Sequence, residues 1–229
     1  MNPTSDGTDQ EHESALLYRG TSLSQLADRA LELAGAPGRT LIGIAGEPGS
    51  GKSTLAERLL TAIGQRRPHF ATVVSMDGFH LAQRVVEERG HGARKGAIDT
   101  FDAEGFLAAL QRVRRERAGT VWWPEFRRDL EEPVAGALEV APRHQLVIVE
   151  GNFLLAAQPP WHRVKDLLTE TWFLDAAPGA RRERLARRYI HYGFTPQAAH
   201  AKTTGVDEST SALIRSSANR ADLTLTEAR

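Results

Sequence analysis

The sequence predicts an α/β fold, a parallel sheet with helices packed on both of its faces. Three observations predict it. Short apolar runs recur along the chain, segments with helical spacing separate them, and a glycine-rich turn joins one run directly to a helix. The run Thr40-Leu-Ile-Gly-Ile-Ala45 is apolar without alternation, the pattern of a strand buried on both faces. Ahead of it, Leu23, Leu26, Ala30 and Leu33 are spaced as one face of a helix over 22–34. Thr21 or Ser22 is its cap, and Gly35, Pro37 and Gly38 end it. Further strands are expected at 71–76, 146–149, 171–174 and 222–226, and helices at 53–63, 103–117, 178–192 and 209–218. Residues 78–100 and 118–145 carry Gly, Pro, aromatics and charges without clear periodicity. They are long for connections and are expected to form insertions on the substrate side of a site.

Composition narrows the classes. The 229 residues suit one domain. The polar stretch 1–14 reads as a disordered tail with no signal-peptide pattern, and 15–229 as a single domain. The chain has no cysteine, which excludes disulfides, thiolate metal sites and cysteine nucleophiles and suits a cytoplasmic protein. Lys plus Arg number 29, as do Asp plus Glu, so there is no basic excess for gripping a nucleic-acid backbone. No apolar run approaches the roughly 20 residues that span a bilayer.

Gly46-Glu47-Pro48-Gly49-Ser50-Gly51-Lys52-Ser53 matches G-x-x-x-x-G-K-[ST], between a predicted strand and a helix opening at Thr54. Glycines let backbone N–H groups approach phosphate oxygens, and the new helix points its positive end at them. Lys52 is expected to bridge β- and γ-phosphates and the Ser53 hydroxyl to join a Mg²⁺ shell. The G-x-G-x-x-G spacing of a dinucleotide site is absent. Two acids stand at predicted strand ends, where ligands sit in an open parallel sheet: Asp77 after 73–76 and Glu150 after 146–149. Asp77 is placed to accept a hydroxyl proton from a substrate, and Glu150 to hold the metal ion. No N-K-x-D motif of a GTPase is present. Lys52 is read as an exposed charge at the loop's end.

Asp77-Gly-Phe-His80, Val86-Glu-Glu-Arg-Gly90, Arg94-Lys-Gly-Ala-Ile-Asp-Thr-Phe-Asp102 and Val149-Glu-Gly-Asn152 follow one another in the chain. From about residue 40 onward this set resembles the superfamily of bacterial pantothenate kinase, uridine kinase and phosphoribulokinase. It looks closest to bacterial nucleoside/nucleotide kinase-like proteins, some of them fructokinase-like. The resemblance implies a P-loop NTPase, nucleoside-kinase-like three-layer fold with a parallel five-stranded sheet. It also implies transfer of the γ-phosphoryl of ATP, with Mg²⁺, to a hydroxyl of a small molecule. By match, Asp77 takes the base position and Glu150 the metal-associated acid. Arg94, Lys95 and Gly96 match a basic loop near the acceptor, and Pro124-Glu-Phe-Arg-Arg128 a segment near substrate. Arg127 stands where relatives often carry an acidic or small residue.

Asp175 as a cap and Pro178 in the first turn open the helix over 178–192, on which Arg184, Arg187, Arg188 and His191 form one stripe. In kinases of this kind such a stripe sits in a mobile lid over the triphosphate, here about 181–205, where Arg184 would hold nucleotide and Arg187 and Arg188 would act in catalysis. Arg181 and Arg182 read as a solvated face. His80, Arg94, Lys95, Arg128 and Asn152 are the acceptor candidates, with Trp122, Trp123 and Phe126 as further pocket aromatics. The acceptor stays open among a nucleoside, pantothenate and a sugar. The expected partners are that small molecule and at most a second copy in a homodimer, with neither nucleic acid nor membrane. The competing class is a P-loop ATPase or GTPase serving as a regulatory or assembly module.

Overall fold

The computed structural model describes residues 16–18 and 20–227, so the tail expected over 1–14 lies outside the described residues. Strands β1 (Leu16–Tyr18) and β2 (Thr21–Ser22) pair and lead into α1 (Leu23–Leu33). Ser22 caps that helix reciprocally: its Oγ accepts from the Gln25 N–H at 3.2 Å and Gln25 Oε1 accepts from the Ser22 N–H at 2.8 Å. There follow β3 (Thr40–Gly46), α2 (Lys52–Arg66), β4 (Ala71–Ser75), the short α3 (Gln83–Glu88) and α4 (Ala103–Arg115). Next come β5 (Val121–Arg127), β6 (Glu132–Val140), β7 (Leu146–Gly151) and β8 (Glu170–Asp175). The chain closes with α5 (Pro178–His191), α6 (Pro196–Thr204), α7 (Val206–Arg215) and β9 (Leu223–Thr226).

The five apolar runs form one parallel five-stranded sheet in the order β4-β7-β3-β8-β9. Alternate side chains on each central strand enter different cores. Ile42 and Ile44 of β3 and Ile148 of β7 pack with Leu26 of α1 and Leu55, Leu59 and Ile63 of α2. Leu41, Ala45, Val147 and Val149 pack on the other face with Phe106, Leu107, Leu110 and Val113 of α4. That is the three-layer fold the sequence predicts. Arg39, 4% exposed, pins the second core's lower edge by donating to the carbonyls of His144 (2.8 Å), Val113 (2.8 Å) and Ala141 (3.0 Å). The Val113 bond satisfies one carbonyl near the open end of α4. Among the described residues no helix is long and apolar enough to cross a membrane.

Several expectations change. The segment 118–145 holds a regular antiparallel hairpin, β5 against β6. Its alternation is hidden because the register shifts between Trp123 and Glu125 at Pro124, and because much of β6 is exposed on both faces. Trp123 is core, fully buried with its indole N–H donating to the Ser75 carbonyl at 2.9 Å, while Trp122 is 60% exposed. Asp175 does not cap α5. It is held in the sheet opposite Thr226, and the helix starts from Ala177 without a side-chain cap, with Pro178 in its first turn. Helix α6 was not anticipated, and α7 begins three residues before the expected 209.

Candidate active site

The carboxyl ends of β3, β7 and β4 deliver Gly46, Glu150 and the turn 76–79 to one edge of the sheet. Above that edge lies a cleft of about 290 Å³. Its floor is the glycine-rich loop: Pro48, Gly49, Gly51, Lys52, Ser53 and Thr54 all line it. Gly51 has φ of +98°, a left-handed conformation that glycine adopts without strain, and from it α2 starts at Lys52. Gly49 is glycine for space as well: a Cβ there would lie 2.6 Å from the Arg181 carbonyl oxygen and 2.8 Å from Leu185 Cγ. The loop therefore runs directly beneath α5. Gly46 and Ser50 support the loop without lining the cleft. Among the described residues, Ser50 Oγ and Arg188 Nε are buried without a hydrogen-bond partner.

Lys52 corrects the expectation of an exposed charge. It is buried, and its ammonium donates to the Glu47 carbonyl at 3.1 Å and to Asn152 Oδ1 at 2.8 Å. Burial pushes its pKa down, against the pull of Glu150 and Asp77. Asp77 and Glu150 also line the cleft. Asp77 is held below the usual carboxylate range: burial pushes it up, but His80, Arg128, Lys52 and Arg188 together outweigh that. Glu150 moves up, through burial first and the Asp77 charge second. The two carboxylates thus differ. Asp77 is shifted toward its charged form and Glu150 toward its neutral one.

The wall beside Asp77 is aromatic and basic. His80 packs against Phe101 and Phe126 with its ring tilted to both, centroids 3.9 and 4.6 Å away, and its Nδ1 meets the Asp77 carbonyl oxygen at 2.8 Å. Burial lowers the His80 pKa, which favours the neutral ring. Arg128 of the hairpin reaches Asp77 Oδ2 at 3.3 Å. Lys95, Phe126 and Asn152 line the same space.

The remaining candidates divide. Arg184 and Arg188 line the cleft, whereas Arg187 is 69% exposed beside Glu183 and lies outside it. The expected stripe is therefore split by the helix's rotation, and His191 is exposed too. Arg94 is also outside, paired with Asp99 at 2.9 Å. Glu47 belongs to the loop, but its carboxylate turns away from the cleft. It meets Arg181 Nε at 2.7 Å and Arg215 at 2.9 Å. Arg181, expected on a solvated face, is fully buried, with a second partner in Glu208 at 2.9 Å. Arg182 is half-exposed.

Sequence reasoning missed Leu185, Tyr189, Lys202 and Asp207, all of which line the cleft. The Tyr189 hydroxyl donates to Asp207 Oδ2 at 2.8 Å, and burial raises the pKa of both groups. Lys202 comes from α6. Its start was signalled by Thr195 ahead of Pro196, and Thr195 does cap it, accepting from the Ala198 N–H at 3.2 Å.

No protein-family model matches the chain. A Schizosaccharomyces pombe protein named for uridine kinase is 33% identical over 178 residues, 76% of each chain. A pantothenate kinase of Enterococcus faecalis is 30% identical over 142 residues, 60% of this chain and 45% of its own length. Among solved structures, a Silicibacter sp. TM1040 protein named for a fructose transport system kinase superposes with a TM-score of 0.82 at 38% identity, covering 90% of this chain and 99% of that one. The YFH7 P-loop kinase of Saccharomyces cerevisiae gives a TM-score of 0.81 at 18% identity over 91% of this chain and 100% of that one, and so supports the fold alone. Fold, loop and relatives agree that this chain belongs to the P-loop small-molecule kinases, in the superfamily that includes uridine kinase and pantothenate kinase.

Proposed function

We propose that the protein transfers the γ-phosphoryl group of ATP to a hydroxyl of a small-molecule acceptor, with Asp77 as the base. The observation that carries this reading is that one cleft gathers Lys52, Ser53, Asp77, Glu150 and Arg188 between the glycine-rich loop and the hairpin. The loop amides and Lys52 bind the β- and γ-phosphates, and Arg188 brings its unpartnered guanidinium nitrogen to the same region. Asp77 aligns the acceptor hydroxyl. The acceptor oxygen forms a bond to the γ-phosphorus as the bond to the β–γ bridging oxygen breaks, ADP leaves, and the hydroxyl proton passes to Asp77. Arg184 and Arg188 are the lid arginines of this reading. Arg187, which lies outside the cleft, has no part in it.

The residues fit Mg²⁺. Among the described residues no group of three or more His, Cys, Asp or Glu side chains could hold a metal alone. A hydroxyl from Ser53 and a carboxylate from Glu150 suit an ion that keeps several waters and takes phosphate oxygens as ligands. Such an ion supplies charge neutralisation on the transferring group.

The test is ADP release with ATP, Mg²⁺ and a panel of hydroxyl acceptors, repeated with Lys52→Ala. The reading expects release to rise severalfold or more with the right acceptor. It expects Lys52→Ala to lower the stimulated rate about 10²-fold or more, the loss usual for a group aimed at developing charge. ATP hydrolysis that no acceptor stimulates would leave the protein an ATPase.

A further inference from the structure

We propose that the acceptor is an oxyanion, a hydroxylated small molecule that also carries a carboxylate or phosphate group held between Lys95 and Lys202 beside Arg128. The inference rests on the kinase reading above and decides a question it leaves open, because it rejects uncharged nucleosides and uncharged sugars as acceptors.

Six permanent cations line the cleft against four acids. Asp77 is in contact with Arg128 at 3.3 Å, and Glu150 feels the Lys52 charge. Asp207 accepts from the Tyr189 hydroxyl, and burial pushes it toward its neutral form. Glu131 stands exposed at the rim. Its neighbour Glu132 is committed to the Gln83 N–H, at 3.0 and 3.1 Å to its two carboxylate oxygens. Among the described residues neither Lys95 nor Lys202 forms an ion pair. Lys95 donates to the backbone carbonyl of Glu131 at 2.6 Å. Lys202 lies over the Tyr189 and Phe194 rings at 4.8 and 5.2 Å.

Both lysines line the cleft from separate elements, Lys95 from the loop after α3 and Lys202 from α6. Burial lowers the Lys95 pKa, Glu132 and Glu131 oppose that shift, and the Lys202 charge adds a smaller push downward. Neither ammonium has an acid within ion-pair reach among the described residues, so an anionic ligand would supply the direct partner both lack. Lys95 and Arg128 also flank the same Phe126 ring, at 5.5 and 5.9 Å, so a third cation borders the space beside Asp77. The triphosphate has its own set in the loop amides, Lys52 and the lid arginines. In the second set Arg128 belongs to the hairpin and Lys95 reaches it through the Glu131 carbonyl, while Lys202 approaches from α6.

The proposal is tested by binding and by turnover. With a nonhydrolysable ATP analogue saturating the loop, inorganic phosphate and acetate are titrated separately by calorimetry. At least one is expected to bind, and the double variant Lys95→Gln/Lys202→Gln is expected to weaken it about tenfold or more. The anion that binds tells phosphate from carboxylate. Turnover then compares matched pairs: D-glycerate with glycerol, pantothenate with pantothenyl alcohol, fructose 6-phosphate with fructose, and a nucleoside monophosphate with uridine. Anionic members should be turned over, with a KM that rises about tenfold in each single Gln variant and is restored by Lys95→Arg. A neutral member used as well as its anionic partner, or anion binding unchanged in the double variant, overturns the proposal and leaves the kinase reading standing. Lysine variants that weaken ATP and not the anion also overturn it. Anion binding that depends on the lysines, with no acceptor of either kind turned over, takes down the kinase reading and the acceptor with it.

Discussion

Substituting Gly78 by alanine should separate the two halves of the active site. Gly78 follows Asp77 in the 76–79 turn and sits under the hairpin, where a Cβ would meet the Pro124 carbonyl oxygen at 2.1 Å and its carbon at 2.6 Å. Ordinary contact begins near 3.4 Å, and both obstructing atoms are backbone, so no side chain can rotate out of the way. Relief requires the turn and the hairpin to part by roughly 1 Å, and a 1 Å misplacement of reacting groups can cost about 10²-fold. The hairpin carries Phe126 and Arg128, whereas the glycine-rich loop stands on a different strand and need not move. Gly78→Ala is therefore expected to lower kcat/KM for the acceptor by about two orders of magnitude with ATP affinity nearly unchanged. Overpacking of this kind typically costs about 1–3 kcal/mol of stability. Acceptor-stimulated ADP release, calorimetric ATP binding and thermal unfolding measure the three quantities. An alanine variant with wild-type kcat/KM would refute the reasoning, because it would show that the acceptor site does not depend on how the hairpin seats against this turn.

Asp77→Asn keeps the shape and removes the charge, and should lower kcat about 10²-fold or more while the ATP dissociation constant barely changes. ATP affinity lost at an unchanged saturating rate would reassign Asp77 to nucleotide or metal binding. Arg181→Met removes a fully buried cation from between Glu47 and Glu208. Arg215 remains on Glu47, and the Arg181 Nε contact is an ion pair without an aligned hydrogen bond, so the low end of the usual range applies, about 3 kcal/mol, or roughly 6–12 °C in Tm. A loss below about 1 kcal/mol in denaturant titration would contradict it. His144 is held below its ordinary pKa of 6.5 by burial first and by Arg143 second, partly opposed by Glu139, with Arg39 and His69 adding to the depression. Its depressed folded pKa means that the native state prefers the neutral ring, whose Nδ1 accepts from the Ala141 N–H at 3.1 Å. The contribution is full above 6.5 and is lost as pH falls through the folded value, so His144→Asn should flatten the decline in stability measured from pH 7 downward.

The parallel sheet was legible because buried central strands leave an uninterrupted apolar signature, and the loop after β3 because phosphate binding needs a fixed spacing of glycines, lysine and serine. Asp77 and Glu150 could be placed because strand ends predict the ligand edge of such a sheet. The hairpin was not, since Pro124 and a register shift broke its alternation and one strand buries little. Arg181 shows another limit: nothing in one chain's order tells which arginine of a helix will face an acid such as Glu47, more than a hundred residues away. Lys202 shows a third. The short α6 has no apolar stripe, buries only Ala199 and Thr203, and announces itself only by its cap.

The clasp of Glu47 by Arg181 and Arg215 ties the first turn of α5 to the glycine-rich loop. Because α5 grips the glycine-rich loop with its first turn, and Gly49 leaves no gap between them, the helix cannot lift away as a whole without dragging the loop and exposing a buried charge. Whatever swing the lid has must begin beyond that grip, along the span that carries Arg188 and then α6 with Lys202. Under the proposed function, a lid built this way would hinge at the nucleotide end and travel farthest at the acceptor end, leaving ATP a nearly fixed seat.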